Sequence, residues 1–204
     1  MTLIAFDTSM PTVTAGLAGG GSAIREGPAQ RELMPAVNGL IGEAGLGWRD
    51  VKAIGVGVGP GSFTSLRIGV ATARGLAQAY GAELRPLSSL WALAQNIDAA
   101  RGLAVIDARR GEVFAALYEG GEAVFGPWVG PPEQLPEACS GALAAGDGSV
   151  RFRDVLEGAG VEIPPDGDPV HRIQGPALCA LAERARAVPA EAVLPEYLRS
   201  PDVG

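Results

Sequence analysis

The chain repeats part of itself at an offset of 100 residues. Residues 3–24 lie over residues 103–124 without a gap, and an apolar run ends on an aspartate, Asp7 or Asp107, in each copy. A turn, an alternating strand, a Gly-Gly turn and a third short strand follow each aspartate. This pattern predicts a three-stranded antiparallel meander that occurs twice in the chain.

A glycine-rich loop follows each meander. In each half a helical segment leads to an apolar run, which ends in Gly59-Pro60-Gly61-Ser62 in the first half and in Gly146-Asp147-Gly148-Ser149 in the second. The repeated unit is therefore β-β-β-α-β-α. Duplicated units of this kind resemble the α/β fold of actin, hexokinase and Hsp70, the ASKHA class, in which two ribonuclease H-like lobes enclose a cleft. We expect a first lobe at residues 1–100 and a second, smaller lobe at residues 101–204.

Composition limits the classes of function. The net charge of −7 lacks the basic excess that gives affinity for a phosphate backbone. Cys139 and Cys179 form no CxxC pair, and His171 is the single histidine, so we expect no metal site. No basic segment precedes Asp7, and no stretch approaches 18 uninterrupted apolar residues, which predicts a cytoplasmic protein without a membrane span.

Periodicity predicts two helices in the first lobe, at about 32–44 and 63–80, and a third at 88–99 with Ser88 as its N-cap. The second helix carries a small residue at every fourth position, which lets another helix approach closely. We expect this stripe to face a partner, and packing on the chain's own sheet is the alternative. The expected partner interface consists of Glu32, Leu33, Val37, Leu40, Ser65, Leu66, Gly69, Val70, Ala73 and Ala77.

Five motifs together resemble the TsaB (YeaZ) family. They span essentially the whole chain in the family's order, with two departures: Ser65 where the family commonly has Gly, and Gln30-Arg31-Glu32 where it often has His-Ser-Glu. The motifs are Asp7-Thr8-Ser9, Gly59-Pro60-Gly61-Ser62-Phe63-Thr64-Ser65-Leu66-Arg67-Ile68-Gly69, Asp107-Ala108-Arg109-Arg110-Gly111-Glu112-Val113, Gly146-Asp147-Gly148 and Pro195-x-Tyr197-Leu198-Arg199.

The resemblance implies a dimerisation subunit of the bacterial complex that forms N6-threonylcarbamoyladenosine in tRNA. It implies that the catalytic work belongs to TsaD, a paralogue of the same fold, aided by the ATPase TsaE, and that tRNA is reached through the complex. It implies no independent activity and no catalytic residue in this chain. A homodimer in the absence of the partner is left open.

A second interpretation is a stand-alone ATP-dependent phosphotransferase. Its nucleotide cleft would be formed by Asp7, Thr8, Ser9, Asp107, Gly146 and Gly148, with Asp7 orienting a magnesium-bound water. Asp7 is equally able to accept hydrogen bonds within its own turn. Arg109 and Arg110 stand where a phosphate loop needs small residues. We therefore expect a degenerate cleft with no bound cofactor and, at most, weak or partner-dependent nucleotide binding.

A third interpretation is a peptidase with Ser62 as nucleophile. Such an enzyme would have only His171 as its histidine base. We instead expect Gly59, Gly61 and Ser62 to form a helix-capping loop, in which the Ser62 hydroxyl accepts from the N–H near Ser65.

Overall fold

The computed structural model describes residues 2–199. Its helices and strands follow in the order β1 (Leu3–Asp7), β2 (Thr12–Leu17), β3 (Ser22–Glu26), α1 (Ala29–Glu43), β4 (Ala53–Gly59), α2 (Phe63–Tyr80), β5 (Glu83–Ser88), α3 (Ser89–Ala94), β6 (Arg101–Arg109), β7 (Glu112–Glu119), β8 (Glu122–Gly130), β9 (Leu143–Ala145), α4 (Asp147–Arg151), α5 (Arg153–Gly158) and α6 (Gly175–Arg184). Within the described residues no helix is both long and apolar enough to cross a bilayer.

The strands form two sheets, one in each lobe. The first has the order β3-β2-β1-β4-β5 and the second the order β8-β7-β6-β9. In each, the meander strands pair antiparallel, and the first strand also pairs in parallel with the strand that precedes the glycine loop. The predicted double meander is therefore confirmed, since β2 begins at Thr12 and β7 at Glu112.

The second lobe is the reduced copy. Where α1 stands in the first lobe, the second has only two 3-10 turns, Pro132–Gln134 and Glu137–Cys139. Pro131, Pro132 and Pro136 account for this difference, because each lacks the N–H that an α-helix interior requires.

The two sheets share one apolar core. Side chains of β1, including Leu3 and Ala5, belong to the same buried cluster as Ile106 of β6. Helices α3 and α6 contribute to this cluster, with Leu90 and Leu178 among their buried side chains. A separate cluster buries α1 and α2 against the other face of the first sheet. The lobes are thus joined below the cleft by packing as well as by the chain.

The chain changes sheets close to residue 100 and later returns. Helix α6 packs on β1 and β2 of the first sheet, and Val188 forms an isolated bridge with Leu84 of β5. The division at residue 100 remains a prediction, and this returning segment lies on the first lobe.

Helix α3 is shorter than predicted. It ends at Ala94, so the prediction of a helix to residue 99 was wrong. The predicted N-cap is confirmed, because Ser88 accepts from the Trp91 N–H at 3.3 Å.

Candidate functional site: the cleft between the lobes

A cavity of about 550 Å³ lies between the two lobes. One wall is formed by Ser9 and the loop from Gly61 to Ser65, and the facing wall by the β6–β7 turn and Asp147. Residues 196–199 of the chain form a further part of the lining. The two repeated motifs therefore come together, as the duplication predicts.

Asp7 ends β1 beside this cleft but points into the protein. Its side chain is 2% exposed, and its Oδ1 accepts from the Ser9 N–H at 2.7 Å and from the Ser9 hydroxyl at 2.6 Å. Its Oδ2 lies 2.5 Å from the hydroxyl of Ser89, at the start of α3. Burial raises the pKa of the Asp7 carboxyl above its ordinary value, and these hydrogen bonds oppose that rise only in part. The predicted Asx-type role of Asp7 is confirmed, and the carboxylate is not directed at a cleft ligand.

The first glycine loop is packed against the Asp7-Thr8-Ser9 turn. A Cβ at Gly61 would lie 2.4 Å from the Cβ of Ser9, so only glycine allows the two segments to approach this closely. The Ser62 N–H donates to the Ser9 carbonyl at 2.8 Å. The Thr8 hydroxyl donates to the Ser65 carbonyl at 2.8 Å. Groups that could face a phosphate are thus used inside the lobe.

Ser62 occupies the N-cap position of α2 but does not act as predicted. Its side chain makes no capping hydrogen bond, and its hydroxyl instead lies 3.2 Å from the hydroxyl of Ser65. The prediction of a side-chain cap was therefore wrong. The backbone holds the loop, because the Ser62 amide is committed to the neighbouring turn.

The second glycine loop is packed in the same way. A Cβ at Gly146 would lie 2.0 Å from the Val105 carbonyl oxygen, and one at Gly148 would lie 2.9 Å from the carbonyl carbon of Ile106. The Gly146 N–H donates to Nδ1 of His171 at 3.3 Å. These glycines let the loop lie directly on β6.

His171 is buried, not an ordinary loop residue. It is 4% exposed, its Nε2 lies 3.1 Å from the Pro164 carbonyl, and its Nδ1 lies 3.3 Å from the Ser149 hydroxyl. The peptidase interpretation loses its base, because the described contacts of His171 are with the second lobe and not with Ser62. Within residues 2–199 no group of three or more His, Cys, Asp or Glu side chains could hold a metal ion.

Asp107 is surrounded by its own lobe. Its Oδ1 accepts from the Arg109 N–H at 2.9 Å, and its Oδ2 lies 3.2 Å from Nη1 of Arg109 and 3.3 Å from Nη1 of Arg151. The Asp107 N–H in turn donates to Oδ1 of Asp147 at 3.1 Å. Burial raises the pKa of the Asp147 carboxyl above its ordinary value. Asp107 therefore balances the positive charge of two arginines.

These contacts do not fit a magnesium nucleotide held as in active members of this fold class. Both aspartates and the Ser62 and Gly146 amides already have partners within the protein. In both loops the glycines serve close packing on a neighbouring segment of the same lobe. The stand-alone phosphotransferase interpretation thus lacks its metal-orienting carboxylate in the described structure.

The predicted interface residues lie mainly on the buried side of their helices. Eight of the ten are buried in the chain's own core: Leu33, Val37, Leu40, Leu66, Gly69, Val70, Ala73 and Ala77. Glu32 and Ser65 are half-buried. A Cβ at Gly69 would lie 2.5 Å from the Thr8 hydroxyl oxygen, so this glycine serves close packing of α2 on the β1 turn.

A different face of the same two helices is exposed. We call it the outer helix face, and it consists of Arg31, Pro35, Asn38 and Gly42 on α1 and Arg67, Ala71, Gly75 and Gln78 on α2. The two helices contact each other side by side. A Cβ at Gly42 or Gly75 would have no atom within 4 Å. Helix α2 therefore has small residues on an exposed side as well as on its buried side. Sequence periodicity alone did not show which of the two sides faces solvent.

Comparisons with known proteins decide the family. The family model described as "TsaD: tRNA N6-adenosine threonylcarbamoyltransferase" matches residues 29–134. The TsaB protein of Escherichia coli, described as a tRNA threonylcarbamoyladenosine biosynthesis protein, is 32% identical over 83% of this chain and 80% of its own length. The chain belongs to the TsaB family, within the wider family that the TsaD model describes.

Other relatives agree with this TsaB assignment. The Bacillus subtilis TsaB protein is 36% identical over 58% of this chain, which spans 56% of that protein. The structure of YeaZ from Pseudomonas aeruginosa superposes with a TM-score of 0.83, at 31% identity, over 97% of this chain and 99% of that one. The ethanolamine utilization protein EutJ of Carboxydothermus hydrogenoformans, at 14% identity and a TM-score of 0.54, shares the fold alone, over 89% of this chain and 90% of its own. The predicted family and the predicted actin-like fold class are confirmed.

Proposed function

We propose that this chain is a non-catalytic subunit in the formation of tRNA N6-threonylcarbamoyladenosine, one that dimerises with the catalytic paralogue TsaD and activates it. Membership of the TsaB family ties the chain to this modification. The partner role, the ATPase TsaE as a further component and tRNA binding through the complex are parts of the proposal.

The burial of Asp7 carries the non-catalytic part of the proposal. A group that orients a metal-bound water must present free carboxylate oxygens, whereas both oxygens of Asp7 are bonded inside the protein. The charge of the chain supports the part of the proposal in which tRNA is bound through the complex. A chain of net charge −7 gains little affinity for tRNA from counterion release. A basic partner would supply most of the affinity for tRNA.

The outer helix face supports the dimerisation part. Its central positions, Ala71 and Gly75 on α2 and Gly42 on α1, carry little or no side chain, so a partner helix can approach the backbone closely. The structure gives these positions no contact of their own that a partner would displace, since the Cβ positions of both glycines are open. We expect this face, and not the buried stripe, to form the contact with TsaD.

The test is a titration of purified TsaD with this chain and with Gly75→Arg. An arginine at an open, exposed position leaves the fold intact but holds two helices apart, so association should weaken at least about hundredfold, a factor equal to about 2.7 kcal/mol. Gly158→Arg, at the exposed end of α5 in the second lobe, is the matched control because its Cβ position is equally open. Unchanged affinity of Gly75→Arg, or equal loss in both variants, would place the interface elsewhere.

A further inference from the structure

The last described residues of the chain cross the mouth of the cleft. The Glu196 N–H donates to the carbonyl of Val58, in β4 of the first lobe, at 2.7 Å. Three residues later, Arg199 reaches the second lobe, where its Nη2 donates to the Ala108 carbonyl at 3.1 Å and its Nη1 pairs with Glu112 of β7. The same short segment is therefore anchored on both lobes.

Aromatic stacking adds a second contact on the first lobe. The ring of Tyr197 lies 4.7 Å from the ring of Phe63, the first residue of α2, and the guanidinium of Arg67 lies 4.5 Å above the same Phe63 ring. Leu198 packs against the core cluster that the two sheets share. Every residue from Glu196 to Arg199 thus has a contact in one lobe, in the other, or in the core between them.

We propose that residues 195–199 form a strap that closes the cleft and fixes the two lobes in one relative orientation. Three residue steps separate the anchors at Glu196 and Arg199, and an extended chain covers at most about 3.3–3.6 Å per residue. The backbone of the strap therefore spans only about 10 Å. The cleft cannot widen by more than the slack in the Arg199 side chain without breaking one of the two anchors.

The strap acts together with the core that the two sheets share. Below the cleft, Leu3 and Ala5 of the first sheet and Ile106 of the second are buried in one apolar cluster, which holds that side of the interface together. The strap adjoins this cluster through Leu198 and is anchored near the carboxyl ends of β4, at Val58, and β6, at Ala108. Hydrogen bonds from one segment to both sheets, beside the shared core, restrict rotations of the lobes that apolar packing alone would permit.

Hydrogen exchange tests whether the two anchors act as one unit. In Arg199→Ala, which cuts the strap only from the second lobe, the Glu196 amide on the first lobe should lose at least about tenfold in protection. Glu112→Gln, which removes the ion pair but leaves the bond to the Ala108 carbonyl, should lose protection in the same direction and to a smaller extent. The double variant should lose no more than Arg199→Ala, because that variant already removes both contacts. Arg186→Ala is the matched control, since it removes an equal charge from an exposed position outside the cleft lining.

Distances across the cleft test the effect on the lobes. Spin labels at Ala71→Cys on α2 and Asp154→Cys on α5 report on the separation of the lobes from two exposed positions. The native Cys139 and Cys179 are buried and stay unlabelled in the folded chain. Arg199→Ala should broaden the distribution of distances between the two labels. A thermal unfolding curve measured on the same sample verifies that the variant is folded. A Glu196 amide that keeps its protection, or an unchanged distance distribution, would overturn the strap.

Discussion

Gly69 and Gly75 lie on the same helix, and the structure predicts opposite outcomes when each is changed to alanine. At Gly75 the new methyl group meets no atom within 4 Å, so only the helix preference of alanine over glycine counts, about 0.8–1.0 kcal/mol in favour of the folded state. At Gly69 the methyl carbon would lie 2.5 Å from the hydroxyl oxygen of Thr8. Real Cβ contacts are not this short, so Thr8 must move.

Movement of Thr8 breaks its hydrogen bond to the Ser65 carbonyl, which costs about 1–3 kcal/mol when a buried group is left unpaired. Overpacking of the site adds about 1–3 kcal/mol. After the gain in helix preference, the free energy of unfolding of Gly69→Ala should fall by roughly 1–5 kcal/mol, while that of Gly75→Ala should rise by nearly 1 kcal/mol. Urea unfolding measures both changes in free energy, provided that the variants and the parent have the same m-value. Thr8→Ala should relieve the clash in the double variant, and a Gly69→Ala protein as stable as the parent would refute the close packing of α2 on the β1 turn.

Three further predictions concern buried titratable groups. Burial raises the pKa of Asp7 in the folded state, so stability is lost as pH rises from the ordinary value of 3.8 through the raised one. Asp7→Asn should therefore show a flatter dependence of unfolding free energy on pH, and an equally steep curve would contradict this. His171→Ala leaves the Gly146 N–H and the Pro164 carbonyl without their partner, so the free energy of unfolding in urea should fall by about 2–4 kcal/mol. A fall below about 1 kcal/mol would contradict the role of His171 in holding these two segments together. Burial raises the pKa of the Cys179 thiol to about 11, so a thiol reagent near neutral pH should modify it only as fast as the protein opens, and rapid modification of the folded chain would count against its burial.

The sequence was sufficient for the parts of the fold that depend on local periodicity. The double meander and the limits of α2 follow from alternation, from the Gly-Gly turns and from Gly81, which ends α2 in the left-handed conformation. The packing of Asp7 within its own turn also follows from local chemistry, because the accepting carboxylate and the donating Ser9 are two residues apart.

Other features depend on contacts between distant segments. Ser89, the second partner of Asp7, is 82 positions away in the sequence. The stripe from Ser65 to Ala77 could not be oriented, because α2 has small residues on two sides and the choice depends on where Thr8 lies. The path of residues 196–199 through the cleft has no periodic signal at all, since an extended segment of four residues is placed by its anchors in both lobes.

The most direct test of the central claim is reconstitution of threonylcarbamoyl transfer from an activated threonylcarbamoyl donor to tRNA with purified TsaD and TsaE, in the presence and absence of this chain. The account predicts that product forms only when the chain is added, that Asp7→Asn supports the reaction as well as the parent once its folding is verified, and that Gly75→Arg fails while Gly158→Arg succeeds. Full activity without the chain, or loss of activity in a folded Asp7→Asn protein, would contradict a non-catalytic partner that acts through its outer helix face.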